Sequence, residues 1–133
     1  MNIVITLPAH LSKALMEGRK KCEMRRCCPK LFNLGHDGFF VVEKGTKNVV
    51  CWCKVKRFVE INTSSMDVGV MADSLCVNED FIRQYIGGRK KVFLWEIEKC
   101  FTFRTPLHLW KDLAVNKAPQ SFCYAPLSHG VSY

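Results

Sequence analysis

Two long segments in which polar and apolar side chains alternate constrain the fold most strongly. Between residues 49 and 61 the odd positions are mostly apolar, whereas the even positions include Lys54, Lys56 and Glu60. Between residues 91 and 103 one face again collects large apolar side chains, namely Phe93, Trp95, Ile97, Phe101 and Phe103. Successive side chains of a strand point to opposite faces of a sheet, so this alternation predicts two long β-strands. Long strands with one apolar face favour a sheet that curls around a core.

Shorter strands and helices are expected around these two strands. Residues 2–6 and 39–42 are rich in Val, Ile and Phe, residues 21–27 alternate in polarity, and residues 118–124 form a last extended segment. Pro8 begins a helix that Gly18 ends, with a buried stripe of Leu11, Ala14 and Leu15. Asn78 caps a second helix. The expected buried stripe of that helix is Phe81, Ile82, Tyr85 and Ile86.

The order of these elements predicts an α+β fold. The helices are few and short, and no regular crossover helices connect the strands, which favours a mixed or antiparallel sheet. Residues 62–75 predict a loop with some local helix, and residues 105–113 a turn or short helix. A chain of 133 residues suits one domain, which we place at residues 1–126. Residues 127–133 show no clear pattern and are interpreted as a tail.

The charge balance points to a polyanionic partner. The chain has 20 basic and 12 acidic side chains, for a net charge of +8, and the basic residues occur in clusters. Such clustering favours RNA or a nucleotide as the partner, although a generally basic surface would give the same balance. No apolar run approaches the roughly 20 residues of a membrane helix, and the apolar start is too short for a signal peptide. We therefore expect a cytoplasmic protein without a membrane partner.

The eight cysteines predict neither a disulfide framework nor a metal site. Without a signal peptide, disulfides are not expected. A zinc site normally shows paired ligands such as Cys-x-x-Cys, which does not occur in the sequence. Most of the cysteines are therefore interpreted as small buried apolar residues, and no cofactor is predicted.

The segment at residues 18–25 carries the best candidate site. Its pattern is Gly-x-Lys-x-x-Glu-x-Arg, and the spacing lets Lys20, Glu23 and Arg25 share one small surface beside the turn at Gly18. Lys20 could bind phosphate, Glu23 could accept hydrogen bonds from a base edge, and Arg25 could bind phosphate or stack on a base. The alternatives are a solvated lysine and a structural Glu23–Arg25 ion pair.

Three aromatic side chains raise a similar choice between binding and packing. Trp52 interrupts the polar face of its strand, so it is either a stacking platform or a residue covered by the segment at 62–75. Tyr124 could stack on a base or belong to the core, and Trp95 has the pattern of a core residue.

Three stretches together resemble the ASCH family, a branch of the PUA-like folds. They are the motif at residues 18–25, the strand at 91–97, and the closing segment Lys117-Ala118-Pro119-Gln120-Ser121-Phe122-Cys123-Tyr124, which is similar to that of small phage and bacterial members. The resemblance implies a PUA-like mixed or antiparallel β-barrel with a few short peripheral helices. It also implies a cleft beside the motif that binds RNA or a modified nucleoside, with Ser121 and Tyr124 nearby.

The resemblance leaves the activity open. Some bacterial relatives resemble amidohydrolases of N4-acetylcytidine that use the motif lysine, a threonine three residues later and a distant glutamate; others are described as ribonucleases. Here Lys20 matches the lysine, but Glu23 stands at the threonine position. We therefore expect an RNA- or nucleotide-binding module that uses Lys20, Glu23, Arg25, Ser121 and Tyr124. The alternatives are an enzyme with Lys20 and Glu23 as proton-transfer groups, and a protein-interaction module.

Overall fold

The computed structural model describes residues 1–126, which form a six-stranded mixed sheet with short helices on both faces. The strand order is β2-β5-β4-β3-β1-β6; β1 pairs with β3 in parallel and the other pairs are antiparallel. The strands are β1 (Ile3–Leu7), β2 (Cys22–Arg25), β3 (Gly38–Glu43), β4 (Asn48–Asn62), β5 (Lys91–His108) and β6 (Phe122–Tyr124). The sheet curls into a half-barrel, which confirms the predicted α+β, PUA-like architecture.

The helices are short: α1 (Ala9–Met16), α2 (Val68–Leu75), α3 (Glu79–Ile86) and α4 (Leu109–Leu113), with a 3-10 turn at Thr63–Ser65. The predicted cap of α3 is confirmed, because Asn78 Oδ1 accepts a hydrogen bond from Phe81 N–H at 2.8 Å. Asp67 caps α2 in the same way, so the segment expected to be a loop is more helical than predicted. No helix within residues 1–126 is long and apolar enough to cross a membrane.

The long antiparallel ladder between β4 and β5 is the centre of the sheet. It runs from the pair Asn48–His108 to the pair Asn62–Lys91. Its register shifts at three places, and such bulges bend a strand and increase its twist. The bulges also change which face a side chain occupies: Phe103 packs in a different core from Trp95, although simple alternation predicted one shared face.

Apolar side chains pack on both faces of the sheet. One core lies beneath α1 and contains Ile3, Ile5, Phe39, Cys51, Cys53, Val55 and Trp95 together with Leu11 and Leu15 of the helix. A second core lies beneath α4 and contains Val4, Phe40, Val42, Val49 and Trp52 together with Leu109 and Leu113. The prediction of a polar face along β4 was therefore wrong for the first half of the strand.

Trp52 belongs to this second core. Its side chain is buried, and its indole N–H donates to Asn2 Oδ1 at 3.3 Å. The prediction that Trp52 is a stacking platform or lies beneath residues 62–75 was wrong, because α4 covers this face of the sheet.

A third core fixes α2 and α3 against one end of the sheet. It contains Cys22 and Met24 of β2, Val92 and Leu94 of β5, and Ala72, Leu75, Ile82 and Ile86 of the two helices. These helices stand beside the motif because β2 pairs with β5 over Cys22–Arg25.

The two edge strands are linked by side chains rather than by a ladder. Arg25 Nη1 on β2 donates to the Ser121 carbonyl, just before β6, at 3.1 Å. The Tyr124 hydroxyl accepts hydrogen bonds from the backbone N–H groups of Lys30 and Leu31, at 2.9 and 3.0 Å. These hydrogen bonds connect the two edges of the half-barrel next to the motif.

Gly38 is a position where the fold requires glycine, because β3 and β4 approach closely there. A Cβ atom at Gly38 would lie 2.2 Å from the Cys53 carbonyl oxygen and 2.6 Å from the Trp52 ring. We expect Gly38→Ala to lower the free energy of unfolding by about 3 kcal/mol, because both neighbours are buried and cannot move aside. Urea denaturation measures this change.

Gly88→Ala is the matched control, because nothing lies within 4 Å of a Cβ atom there. It should change the free energy of unfolding by no more than about 0.5 kcal/mol. Equal urea midpoints for the two variants would contradict the close approach at Gly38.

Candidate functional site

Lys20, Glu23 and Arg25 line one cleft of about 840 Å³, a size typical of small-molecule sites. The walls come from the end of β1 and the start of α1, from residues 19–25, and from α2, α3 and the turn between them. The structure thus brings together the three motif residues that the sequence singled out.

A tight turn after α1 directs the motif toward α2. Gly18 has a φ of +77°, in the left-handed region that glycine accepts without strain. The N–H groups of Arg19 and Lys20 both donate to the Ala14 carbonyl, at 2.9 and 3.1 Å, and the N–H of Lys21 donates to the Ser74 carbonyl at 2.8 Å. The backbone is therefore held against both helices, with Lys20 on the inner side.

The Lys20 ammonium is buried and satisfied by the protein. Only 3% of the residue is exposed. Its Nζ donates to the Leu75 carbonyl at 3.0 Å and lies 3.6 Å from Glu23 Oε1. Leu75 is the last residue of α2, where the helix dipole favours a cation. Lys20 therefore orients Glu23 and compensates its charge, and is less suited to direct contact with a phosphate.

Glu23 and Arg25 retain unused hydrogen-bonding capacity. Glu23 Oε1 accepts from the Met24 N–H at 3.1 Å, whereas Glu23 Oε2 is buried without a hydrogen bond, although Arg25 Nη2 lies 3.6 Å away. Arg25 Nε is also buried without a hydrogen-bond partner. Buried polar atoms are almost always hydrogen-bonded in native proteins. An unsatisfied acceptor on Glu23 and an unsatisfied donor on Arg25, two residues that line the same cleft, are suited to a ligand that offers the complementary pair.

The guanidinium of Arg25 is held in place from two sides. Its Nη1 donates to the Ser121 carbonyl, and its central carbon lies 5.9 Å from the centre of the Trp95 ring. Trp95 is fully buried, so it provides a rigid support. A planar cation fixed in this way presents its remaining donors in a defined direction.

Ser121 and Tyr124, the other two predicted site residues, do not line the cleft. Ser121 is exposed and supplies its backbone carbonyl to Arg25. Tyr124 is partly buried against the first core, and its hydroxyl is occupied by Lys30 and Leu31. Their direct contact with nucleic acid stays a prediction, while their structural effect is to fix Arg25 and the segment after β2.

Two aromatic residues of α3 form a wall of the cleft that sequence reasoning missed. Phe81 and Tyr85 stack with ring centres 6.4 Å apart and planes inclined by 15°. Phe81 is 53% exposed, so its assignment to the buried stripe was wrong, whereas Ile82 and Ile86 are buried as predicted. The spacing of four residues between Phe81 and Tyr85 could have revealed this aromatic pair, since side chains at i and i+4 are neighbours on a helix.

Burial raises the pKa of two further titratable residues near the motif. Burial raises the pKa of Tyr85, although the positive charge of Arg25 opposes this shift. Cys22, between Lys20 and Glu23 in the sequence, is buried, and this burial raises its pKa to about 11. Cys22 is thus a protonated thiol near neutral pH and does not act as a nucleophile.

Solved structures of ASCH proteins share this fold. One is ASCH from Zymomonas mobilis, with 22% identity and a TM-score of 0.75, covering 92% of this chain and 86% of that one. A serine-to-alanine variant of ZmASCH, from the same organism, has 21% identity and a TM-score of 0.78, covering 92% and 87%. A tyrosine-to-phenylalanine variant has 22% identity and a TM-score of 0.73, covering 92% and 88%.

No protein-family model matches the chain, and no curated protein matches it either. The structural similarity, at 21% to 22% identity, shows the fold alone. It confirms the ASCH-type fold that the sequence resemblance implied.

The buried charges make a specific prediction about stability. Lys20→Ala removes the cation beside Glu23 and leaves a carboxylate buried with less compensation. We expect the variant to lose about 3 kcal/mol of unfolding free energy, measured by urea denaturation.

Lys21→Ala serves as the control, since Lys21 is the exposed neighbour of Lys20. It should change the free energy of unfolding by no more than about 0.5 kcal/mol. If Lys20→Ala proved as mild as Lys21→Ala, the Lys20 ammonium would not stabilise the site.

Proposed function

We propose that this chain, which has the fold of the ASCH proteins, binds RNA or a nucleotide through the cleft lined by Lys20, Glu23 and Arg25. The observation that carries the proposal is the pair of unsatisfied buried atoms, Glu23 Oε2 and Arg25 Nε. The edges of nucleobases combine N–H donors with ring-nitrogen or carbonyl acceptors. A base in the cleft would donate to the carboxylate and accept from the guanidinium.

The aromatic wall supports the same ligand class. Phe81 stacks on Tyr85, lines the cleft and is 53% exposed. Bases of single-stranded RNA or of a free nucleotide can stack on such a ring without regard to sequence. Recognition would then combine stacking on α3 with hydrogen bonds to Glu23 and Arg25.

Basic residues beyond α3 offer a path for a phosphate backbone. A second cleft of about 660 Å³ is lined by Arg83 of α3 and by Arg89 and Lys90 next to Gly87 and Gly88. The net charge of +8 provides long-range attraction for a polyanion. An RNA strand with one base in the first cleft could thus extend across α3 to these cations.

A second candidate function is hydrolysis of an acylated nucleoside or of RNA. It is favoured by the contact between the Lys20 ammonium and the Glu23 carboxylate, 3.6 Å apart in the cleft. In this mechanism Glu23 Oε2 takes a proton from the attacking water and returns it to the leaving group, while Lys20 stabilises the negative charge that develops on the attacked carbonyl or phosphoryl group. The other carboxylate lining the cleft is that of Asp73, so no second glutamate contributes within residues 1–126.

A protein-interaction module remains the third alternative. The salt dependence of RNA binding distinguishes it from the proposed nucleic-acid-binding module. We expect labelled single-stranded RNA to bind with an affinity that falls about twentyfold between roughly 50 and 200 mM salt, if three phosphates are contacted. Fluorescence anisotropy measures this, with free nucleotides as competitors. An absence of binding to every RNA and nucleotide would contradict the proposed function.

The contribution of stacking is tested by Phe81→Ala. Because this side chain is 53% exposed, its loss should leave stability nearly unchanged. We expect RNA affinity to fall about tenfold, as is typical for loss of one stacking residue. Trp110→Ala is the matched control: Trp110 is 56% exposed on α4, a helix that does not contribute to the cleft. Equal affinities for the two variants would exclude stacking on Phe81.

The hydrolase alternative requires a product measurement on the same samples. Wild-type protein and Glu23→Gln are incubated with N4-acetylcytidine and with RNA, and products are separated by chromatography. Product formed by the wild type and lost in Glu23→Gln, with ligand binding retained, would make the chain an enzyme. Binding without product in either protein would favour the binding module.

A further inference from the structure

Pairing of β4 with β5 brings three cysteines together that are separated in the sequence. Cys53 and Cys100 are direct partners across the ladder, and Cys51 precedes Cys53 by two residues on the same strand. Their three Sγ atoms all lie within 4.8 Å of one another. All three are free thiols in the first core. The sequence predicted no metal site because spacing along the chain does not reveal a pairing across strands.

These distances are close to those of a thiolate site for one metal ion. A typical metal–thiolate bond is about 2.3 Å, so two sulfurs bound to the same ion lie at most about 4.6 Å apart. Small side-chain rotations would bring the three sulfurs around one ion. Within residues 1–126, no fourth His, Cys, Asp or Glu joins the group.

The three thiols of the cluster are hydrogen-bonded to one another. Thiol hydrogen bonds from Cys51 and then Cys53 lower the pKa of Cys100, while the pKa values of Cys51 and Cys53 are raised. A cation would displace the thiol protons into solvent, as metal binding to cysteine generally does.

We propose that Cys51, Cys53 and Cys100 form a three-thiolate site for a soft monovalent d¹⁰ ion, with Cu(I) as its biological occupant. Thiolates prefer soft ions, and Cu(I) accepts three sulfur ligands without water. Zn²⁺ normally takes four ligands, and the cluster offers three in an apolar core that includes Leu11 and Leu15.

The site is accessible and separate from the nucleic-acid cleft. Cys51 and Cys53 are buried, whereas Cys100 is partly exposed, so an ion can enter from the Cys100 side. None of the three cysteines lines the cleft around Lys20. Metal binding therefore does not depend on the proposed RNA-binding function.

The test is a Cu(I) titration of the full-length, reduced protein without oxygen, in competition with a chromophoric Cu(I) chelator. We expect wild type to withdraw one equivalent of Cu(I), and Cys100→Ser to lose this equivalent. The double variant Cys27→Ser/Cys28→Ser is the matched control. It removes two thiols from the segment after β2 and should retain the equivalent.

Two measurements on the wild type keep the test independent of the variant's folding. X-ray absorption at the copper edge should show three sulfur neighbours at about 2.3 Å. Mass spectrometry should show that bound Cu(I) protects Cys51, Cys53 and Cys100 from alkylation. Retention of the equivalent in Cys100→Ser, or protection of other cysteines instead, would overturn the proposal. Preference for Zn²⁺ over Cu(I) would overturn the choice of ion.

Discussion

The register of the β4–β5 ladder is the constraint on which the other features depend. Each strand contributes side chains to all three cores, so a slip by one residue would exchange the faces of Trp52 and Cys53. Helix α1 covers one face and α4 the other, and β2 reaches its place by pairing with β5. The bulges redirect side chains partway along the ladder, which lets one pair of strands serve three separate cores.

The candidate site depends on that arrangement because its charges are expensive to bury. Lys20 and Glu23 would be more stable in water than in the protein unless their partners were held in place. The end of α2 provides a carbonyl for Lys20, and the closing segment provides one for Arg25. Two elements distant in sequence thus compensate charges that lie within six residues. The fold maintains this cluster of charged side chains although apolar side chains would have packed there at a lower cost in free energy. This is consistent with a binding role.

Local patterns predicted the elements but not how their faces are covered. Alternation identified β4 and β5, and the Asn78 cap and the stripe of Leu11, Ala14 and Leu15 were confirmed because each depends on neighbouring residues only. The motif also predicted that Lys20, Glu23 and Arg25 meet. The prediction for Trp52 was wrong because α4 covers it. The prediction for Phe81 was wrong because no described element covers it. The meeting of Cys51, Cys53 and Cys100 depends on strand register, which no local pattern specifies.

The shortness of the two edge strands has a consequence for behaviour at high concentration. A long unpaired edge offers backbone donors and acceptors to another copy and promotes aggregation. Here the edges are β2, with four residues, and β6, with three. Arg25 and Tyr124 also direct their polar groups toward the protein's own backbone beside these edges. The two outermost strands of the sheet therefore present little edge backbone for strand addition.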